Sequence, residues 1–187
     1  MTKLNKVNER RIKSNNYAFI DSQNLNLSVR EQGWILDYRK FRTYLRDAHS
    51  VTKAFLFIGY VHTNQLLYTA LQEYGYILVF KPTLVLPNGK VKGNVDAELV
   101  LHAMVEYDHY NQAVIVTGDG DFHCLVNYFI QQEKLAKLII PNQHKFSSLY
   151  RKMMPHIVFL NNMRDKLGQK IKRGITAGRN PLDNPSS

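Results

Sequence analysis

Short apolar runs alternate along the chain with stretches whose apolar positions recur every three or four residues, a pattern that predicts strands alternating with helices. Tyr17-Ala18-Phe19-Ile20 is a continuous apolar run closing on Asp21, as expected of a strand buried on both faces. Lys53–Tyr60, Tyr76–Phe80, Ala113–Thr117, Leu135–Ile140 and His156–Leu160 read the same way. Between them, Asp37 is placed to cap a helix over Tyr38–Asp47, with Phe41, Tyr44 and Leu45 on one face. Thr63–Tyr74 carries Leu66, Leu67, Ala70 and Leu71 at helical spacing, and Gly75 is suited to end it. Val95–His109 has Leu99, His102, Ala103 and Glu106 among its stripes, and Asp121–Gln132 and Phe146–Met153 also read as helices. The alternation is interrupted once, at Leu84–Gly93, where Asn88-Gly89 favours a type I′ turn and predicts a small hairpin or flap.

Strand–helix alternation with short connections implies an α/β fold with a mostly parallel central sheet and helices on both faces. Right-handed crossovers put ligand sites at the carboxyl ends of such strands. Four acidic residues fall there. Asp21 ends the first strand, Asp119 follows the strand AVIVT after one Gly, Asp121 comes two residues later, and Asp96 opens the long helix. On one rim these carboxylates would all be ionised near neutral pH and would repel one another. A hard divalent cation relieves that repulsion, and oxygen-only ligands favour Mg²⁺ or Mn²⁺ over zinc. Such an ion polarises a phosphoryl oxygen and lowers the pKa of a bound water. Asp96 and Asp121 also sit where helix caps and first-turn acids are common, but capping does not explain acids at strand ends such as Asp21 and Asp119.

Charge adds a second indication. The net charge of +10 is concentrated at the ends of the chain. Residues 1–14 hold five Lys/Arg against one acid, residues 164–187 hold six against two, and the stretch between is nearly balanced. Basic tails on a balanced globule suit a polyanion such as nucleic acid, although they also serve solubility. We therefore expect a basic N-terminal tail over 1–14, one domain over 15–163 and a basic, disordered C-terminal tail over 164–187. A single cysteine, Cys124, excludes a disulfide framework, and its apolar neighbours Phe122, Leu125 and Val126 predict a packing role for it. No apolar run approaches the length of a membrane span and no secretory leader is readable, so a cytoplasmic protein is expected.

The segments FIDSQNL, KGNVDAEL and TGDGDF, in that order, resemble the three acidic motifs of the NYN domain, the LabA-like branch of the PIN-like nuclease superfamily. The resemblance spans about Tyr17 to Leu160. It implies a PIN-like three-layer sandwich and a metal-dependent endoribonuclease whose metal ligands are Asp21, Asp96, Asp119 and Asp121. It matches Asn24 to an Asn three residues past the first Asp, so that Asn24 and Thr117 would orient ligands or water. Two departures are visible: Ser22-Gln23 replaces a usual small Gly, and Gly120 stands where Ser is frequent.

Other chemistries fit less well. Gly118-Asp119-Gly120 lacks the third glycine of a dinucleotide fingerprint, and no Walker sequence or G-x-S-x-G elbow occurs. A haloacid-dehalogenase pattern needs an acid at position 23, which is Gln. The seven histidines show no zinc spacing, and His123, beside Asp121, is a plain helix residue or a substrate contact. On the flap, Lys90 and Lys92 could lie along a phosphate backbone, and Tyr60 could stack on a base, or all three could simply be solvated. The reading is thus a Mg²⁺- or Mn²⁺-dependent ribonuclease acting on RNA, with DNA a second candidate, against a non-catalytic RNA-binding or adaptor protein that keeps the acidic pocket. The sequence leaves oligomeric state open.

Overall fold

The computed structural model describes residues 14–81, 84–85, 91–92 and 96–170, with only the backbone described at 81, 84–85, 91–92 and 96. Six parallel strands form the central sheet in the order β3-β2-β1-β6-β7-β8. They are β1 (Asn16–Asp21), β2 (Val51–Gly59), β3 (Tyr76–Lys81), β6 (Ala113–Val116), β7 (Leu135–Ile140) and β8 (Ile157–Phe159). The antiparallel pair β4 (Leu84–Val85) and β5 (Val91–Lys92) lies where the turn signal predicts a hairpin. All six strands predicted from apolar runs are present, each within two residues of its expected ends.

The runs are continuous because each strand serves two cores. On one side, Ala18, Ile20, Leu56, Val114 and Val116 meet α1 (Ser22–Arg30), α2 (Tyr38–His49) and α3 (Gln65–Glu73). On the other, Tyr17, Phe19, Phe57 and Ile115 meet α4 (Asp96–Val105) and α5 (His123–Gln131). This is the three-layer α/β sandwich that the alternation implies. Among the described residues no helix is long and apolar enough to cross a membrane.

Several elements differ from the expectation. The sequence pattern predicts no helix over 22–30, yet α1 starts directly after β1. Its signal is thin, since Leu25 and Val29, four residues apart, are the only apolar members of a buried stripe that also holds Ser22, Asn26 and Ser28. The long helix ends at Val105 and passes into a 3-10 turn at Tyr107–His109. The segment expected to be helical from Phe146 is a 3-10 run, Ser148–His156, with Pro155 inside it. Cys124 is exposed, because the buried stripe of α5 runs through Leu125, Val126 and Phe129 instead. Packing also continues past residue 163. A short helix α6 (Arg164–Leu167) buries Leu167 completely, and the Leu167 and Gly168 carbonyls accept from Asp37 N at 2.8 Å and Lys40 Nζ at 2.6 Å.

The cores hold several buried phenols. Burial pushes Tyr38 up to about 12, and it raises Tyr76, Tyr110 and Tyr150 as well. A tyrosine whose folded pKa exceeds its unfolded value stabilises the fold fully at neutral pH and loses that contribution as pH climbs past the unfolded value near 10. Each such residue then costs about 1.4 kcal/mol per pH unit up to its folded pKa. Urea melts should therefore be nearly flat from pH 7 to 9 and fall steeply above pH 10. Tyr38→Phe should shallow that fall, and an unchanged slope would refute the assignment.

Candidate active site at the carboxyl edge of the sheet

Connections leave β1 toward β2 on one side, whereas β6 and β7 lie on the other, so the β1–β6 boundary is the switch point of the sheet. A crevice opens at such a boundary, beyond the carboxyl ends of the strands. Ile20 pairs with Val116, so the next residues, Asp21 and Thr117, leave the sheet side by side. Strand alternation turns both toward the α4–α5 face, where Tyr17, Phe19, Ala113 and Ile115 also point.

Thr117 organises this corner. It is fully buried, and its hydroxyl donates to Asp21 Oδ2 at 3.5 Å while accepting from Asp119 N at 3.1 Å. Asp21 is 5% exposed, and its Oδ1 accepts from Asn24 N at 3.1 Å, capping α1. Asp119 Oδ1 accepts from Asp121 N at 3.1 Å, capping the 3-10 turn Gly120–Phe122 that leads into α5. Both strand-end acids thus serve as caps, contrary to the sequence argument that capping could not explain them. The unforeseen α1 is the reason for Asp21. Each cap engages Oδ1, and the Oδ2 of Asp21 takes the Thr117 hydroxyl. Asn24 spends its side-chain oxygen on Gly118 N, at 2.8 Å, and so ties the first turn of α1 to the loop after β6. That is a positioning role.

The loop after β7 supplies the far wall, which the sequence did not reveal. A cleft of about 470 Å³ is lined by Gly118–Asp121 on one side and by Lys145, Phe146, Ser147 and Leu149 on the other. Ser147 N donates to Gly118 O at 3.0 Å, closing the two loops together. The fully buried Tyr150 donates its hydroxyl to the Asp119 carbonyl. Burial first, then the fields of Asp119 and Asp121, push the Tyr150 phenol well above its usual range, so it stays a neutral donor. Lys145 is an exposed cation at the rim, held 3.0 Å from Glu31 at the end of α1.

The remaining predicted residues are placed unevenly. Asp119 and Asp121 are both exposed in the cleft. Asp96 begins α4, which lies against β1 and the 120–122 turn and buries Leu99 and Ala103 on the face that Asp21 and Thr117 share; its side chain lies outside the described residues. His123 opens α5, half-buried, with its ring 6.3 Å from that of Tyr150. Tyr60 follows β2 and is exposed. Lys92 is in β5 and described in its backbone only, and Lys90 lies outside the described residues. Among the described residues, no three His, Cys, Asp or Glu side chains come together as a metal-holding group.

Thr117→Val keeps the shape of the side chain but strips Asp119 N and Asp21 Oδ2 of a partner inside the protein. It should cost about 2 kcal/mol, or roughly 4–8 °C in melting temperature, with Thr117→Ser restoring most of it. Asp119→Asn preserves the capping oxygen and should melt within about 1 °C of the parent, whereas Asp119→Ala should lose about 1 kcal/mol. Equal losses for Asn and Ala would show that capping is not what Asp119 contributes.

Comparison with known proteins supports this architecture. No curated protein matches the chain. A crystal structure of a protein of unknown function from Vibrio parahaemolyticus superposes with a TM-score of 0.69 at 23% identity, covering 83% of this chain and 96% of that one, and so shares the fold. The family model for the NYN domain matches residues 17–161, a span that holds all three acidic motifs and the whole β1–β6 corner. The chain belongs to the NYN domain family and has its PIN-like fold.

Proposed function

We propose that this chain is a Mg²⁺- or Mn²⁺-dependent endoribonuclease whose working groups are the carboxylates of Asp21, Asp96, Asp119 and Asp121. The observation that carries the reading is the Asp21–Thr117–Asp119 chain at the switch point, where one buried hydroxyl holds two acidic positions in register. Membership of the NYN family, within a nuclease superfamily that generally uses divalent metals, supports it. The donor chemistry also fits, since the Asp21, Asp119 and Asp121 side chains offer oxygen ligands only, with no sulfur at the site. When bound, a divalent ion would supply electrostatic stabilisation of the phosphate and a more acidic water.

The residues of the chain do the rest. The Thr117 hydroxyl fixes the rotamer of Asp21 and the backbone of Asp119, so that neither must reorganise when substrate arrives. Asn24 and Ser147 hold the Gly118–Asp119 loop from its two sides. Lys145 at the rim offers positive charge to a flanking phosphate. In the hydrolysis itself, a water oxygen bonds to phosphorus and gives up a proton, the bond to the 3′ oxygen breaks, and that oxygen leaves as a hydroxyl by taking up a proton, so that the net transfer is from water to the leaving group.

A second reading, RNA binding without cleavage, draws on the capping roles that Asp21 and Asp119 fill within the fold itself. Labelled RNA and DNA incubated with Mn²⁺, Mg²⁺ or chelator separate the two. Cleavage of RNA with either metal, abolished by chelator and by Asp119→Asn, is the expected result. Cleavage that survives chelator would remove the metal mechanism, and binding with no cleavage under any condition would favour the second reading.

The basic ends make a separate contribution. Removing residues 1–13 and 171–187 deletes five basic residues against one acid and three against one, and spares the buried Leu167. The slope of log affinity against log salt for single-stranded RNA should flatten by about 0.7 for each phosphate that these residues neutralise in the full chain. An unchanged slope would show that these segments only solubilise.

A further inference from the structure

A pair of exposed rings stands at the same edge of the sheet, outside the acidic cleft. Tyr60 lies just beyond β2 and Phe80 next to the end of β3, and they are 44% and 40% exposed. Their rings meet edge to face, with centroids 5.5 Å apart and planes at 89°. Both rest on Tyr68 of α3, Tyr60 nearly parallel to it at 5.9 Å and Phe80 edge-on at 4.9 Å. Tyr68 is itself pinned: it is buried, and its hydroxyl accepts from Val61 N at 2.7 Å and lies 3.2 Å from the Gly59 carbonyl. The Tyr60 hydroxyl accepts from Gln65 Nε2 at 3.0 Å. The two outer rings are therefore fixed in orientation without being covered. Isolated exposed apolar residues need no explanation, but two anchored rings in contact present a rigid aromatic face at little entropic cost.

We propose that Tyr60 and Phe80 form a stacking platform for the bases of single-stranded nucleic acid, an inference that rests on the nuclease reading of the cleft. Register supports the placement. Asp21 pairs with Phe57, and Phe80 pairs with Ile58, so Phe80 stands two strands across and one residue along from Asp21. With strands about 4.8 Å apart and a rise of about 3.3 Å per residue, that separation is about 10 Å. At about 3.4 Å per stacked nucleotide, it spans about three nucleotides. Asp21 faces the α4–α5 side and the platform lies on the α3 side, so the bound strand crosses the edge of the sheet rather than following one face. A duplex offers no free base face to the rings, and the platform therefore selects single strands.

Binding in chelator tests this apart from cleavage. The probes are a short RNA carrying 2-aminopurine, the same sequence as a duplex, and inorganic polyphosphate, each titrated with parent protein and with the Tyr60→Ala, Phe80→Leu double variant. The variant should bind the single strand about five- to hundred-fold more weakly and lose the quenching of 2-aminopurine, while duplex and polyphosphate binding stay unchanged. Tyr60→Phe, which keeps the ring, should behave as the parent. Single-strand affinity equal in parent and variant would overturn the platform and leave the cleavage reading standing. Equal losses on all three probes would also overturn it, since polyphosphate has no bases. Parent protein that neither binds nor cleaves RNA would overturn both.

Discussion

Thr117 sits fully buried where β6 leaves the sheet, and a buried hydroxyl has to satisfy both its donor and its acceptor inside the protein. It does so with two groups from different parts of the chain: the carboxylate of Asp21 and the backbone N–H of Asp119. The loop after β6 can therefore turn only in the way that brings Asp119 to the end of β1. The same turn presents Gly118 N to Asn24, so the first turn of α1 and the Gly-Asp-Gly-Asp loop form one hydrogen-bonded unit. The acidic edge follows from this geometry rather than from any attraction among carboxylates.

At this edge the carboxylates that the proposed function assigns to an ion already serve as caps. Asp21 and Asp119 each give Oδ1 to a backbone N–H, which fixes the carboxylate plane and lowers the cost of concentrating negative charge at the start of two helical segments. Tyr150 adds a neutral donor on the Asp119 carbonyl, and its raised pKa keeps it neutral at any ordinary pH. The net positive charge of the chain lies mostly at its two ends, away from the acidic edge in sequence. Under the proposed function, long-range attraction for a polyanion and local affinity for a cation would fall to separate residues.

The strands are legible because a sheet buried on both faces writes itself as unbroken apolar runs; Asp21, Asp119 and Asp121 stand out because they fall where such runs stop, and Asp96 because it opens the long helix. What the pattern hides has weak or non-local signals. In α1, SQNLNLSVR, the two core residues Leu25 and Val29 are surrounded by polar ones, so nothing in the local pattern demands a helix, and without α1 the cap at Asp21 is invisible too. The far wall of the cleft is built by a loop whose contribution is largely backbone, such as Ser147 N to Gly118 O, and side-chain patterns do not report that. Cys124 misleads because adjacency to apolar residues is not membership of their stripe; one step along a helix turns a side chain by about 100°.

The departure at Gly120 shows how two such loops constrain each other. The NYN pattern frequently has Ser at this position, and the sequence alone suggests that a hydroxyl is simply missing. In the structure, a Cβ placed on Gly120 would lie 2.9 Å from Ser147 Cβ, 3.3 Å from Leu149 Cδ1 and closer still to Ser147 Oγ. The space a serine would need at 120 is already filled by Ser147, whose hydroxyl accepts from Leu149 N at 3.4 Å and stands over the same turn. Ser147 is held there by its own N–H on Gly118 O, so it cannot retreat without opening the cleft wall. Glycine at 120 and serine at 147 are therefore one choice made at two positions: the hydroxyl beside the acidic turn is supplied by the loop after β7 rather than by the turn itself.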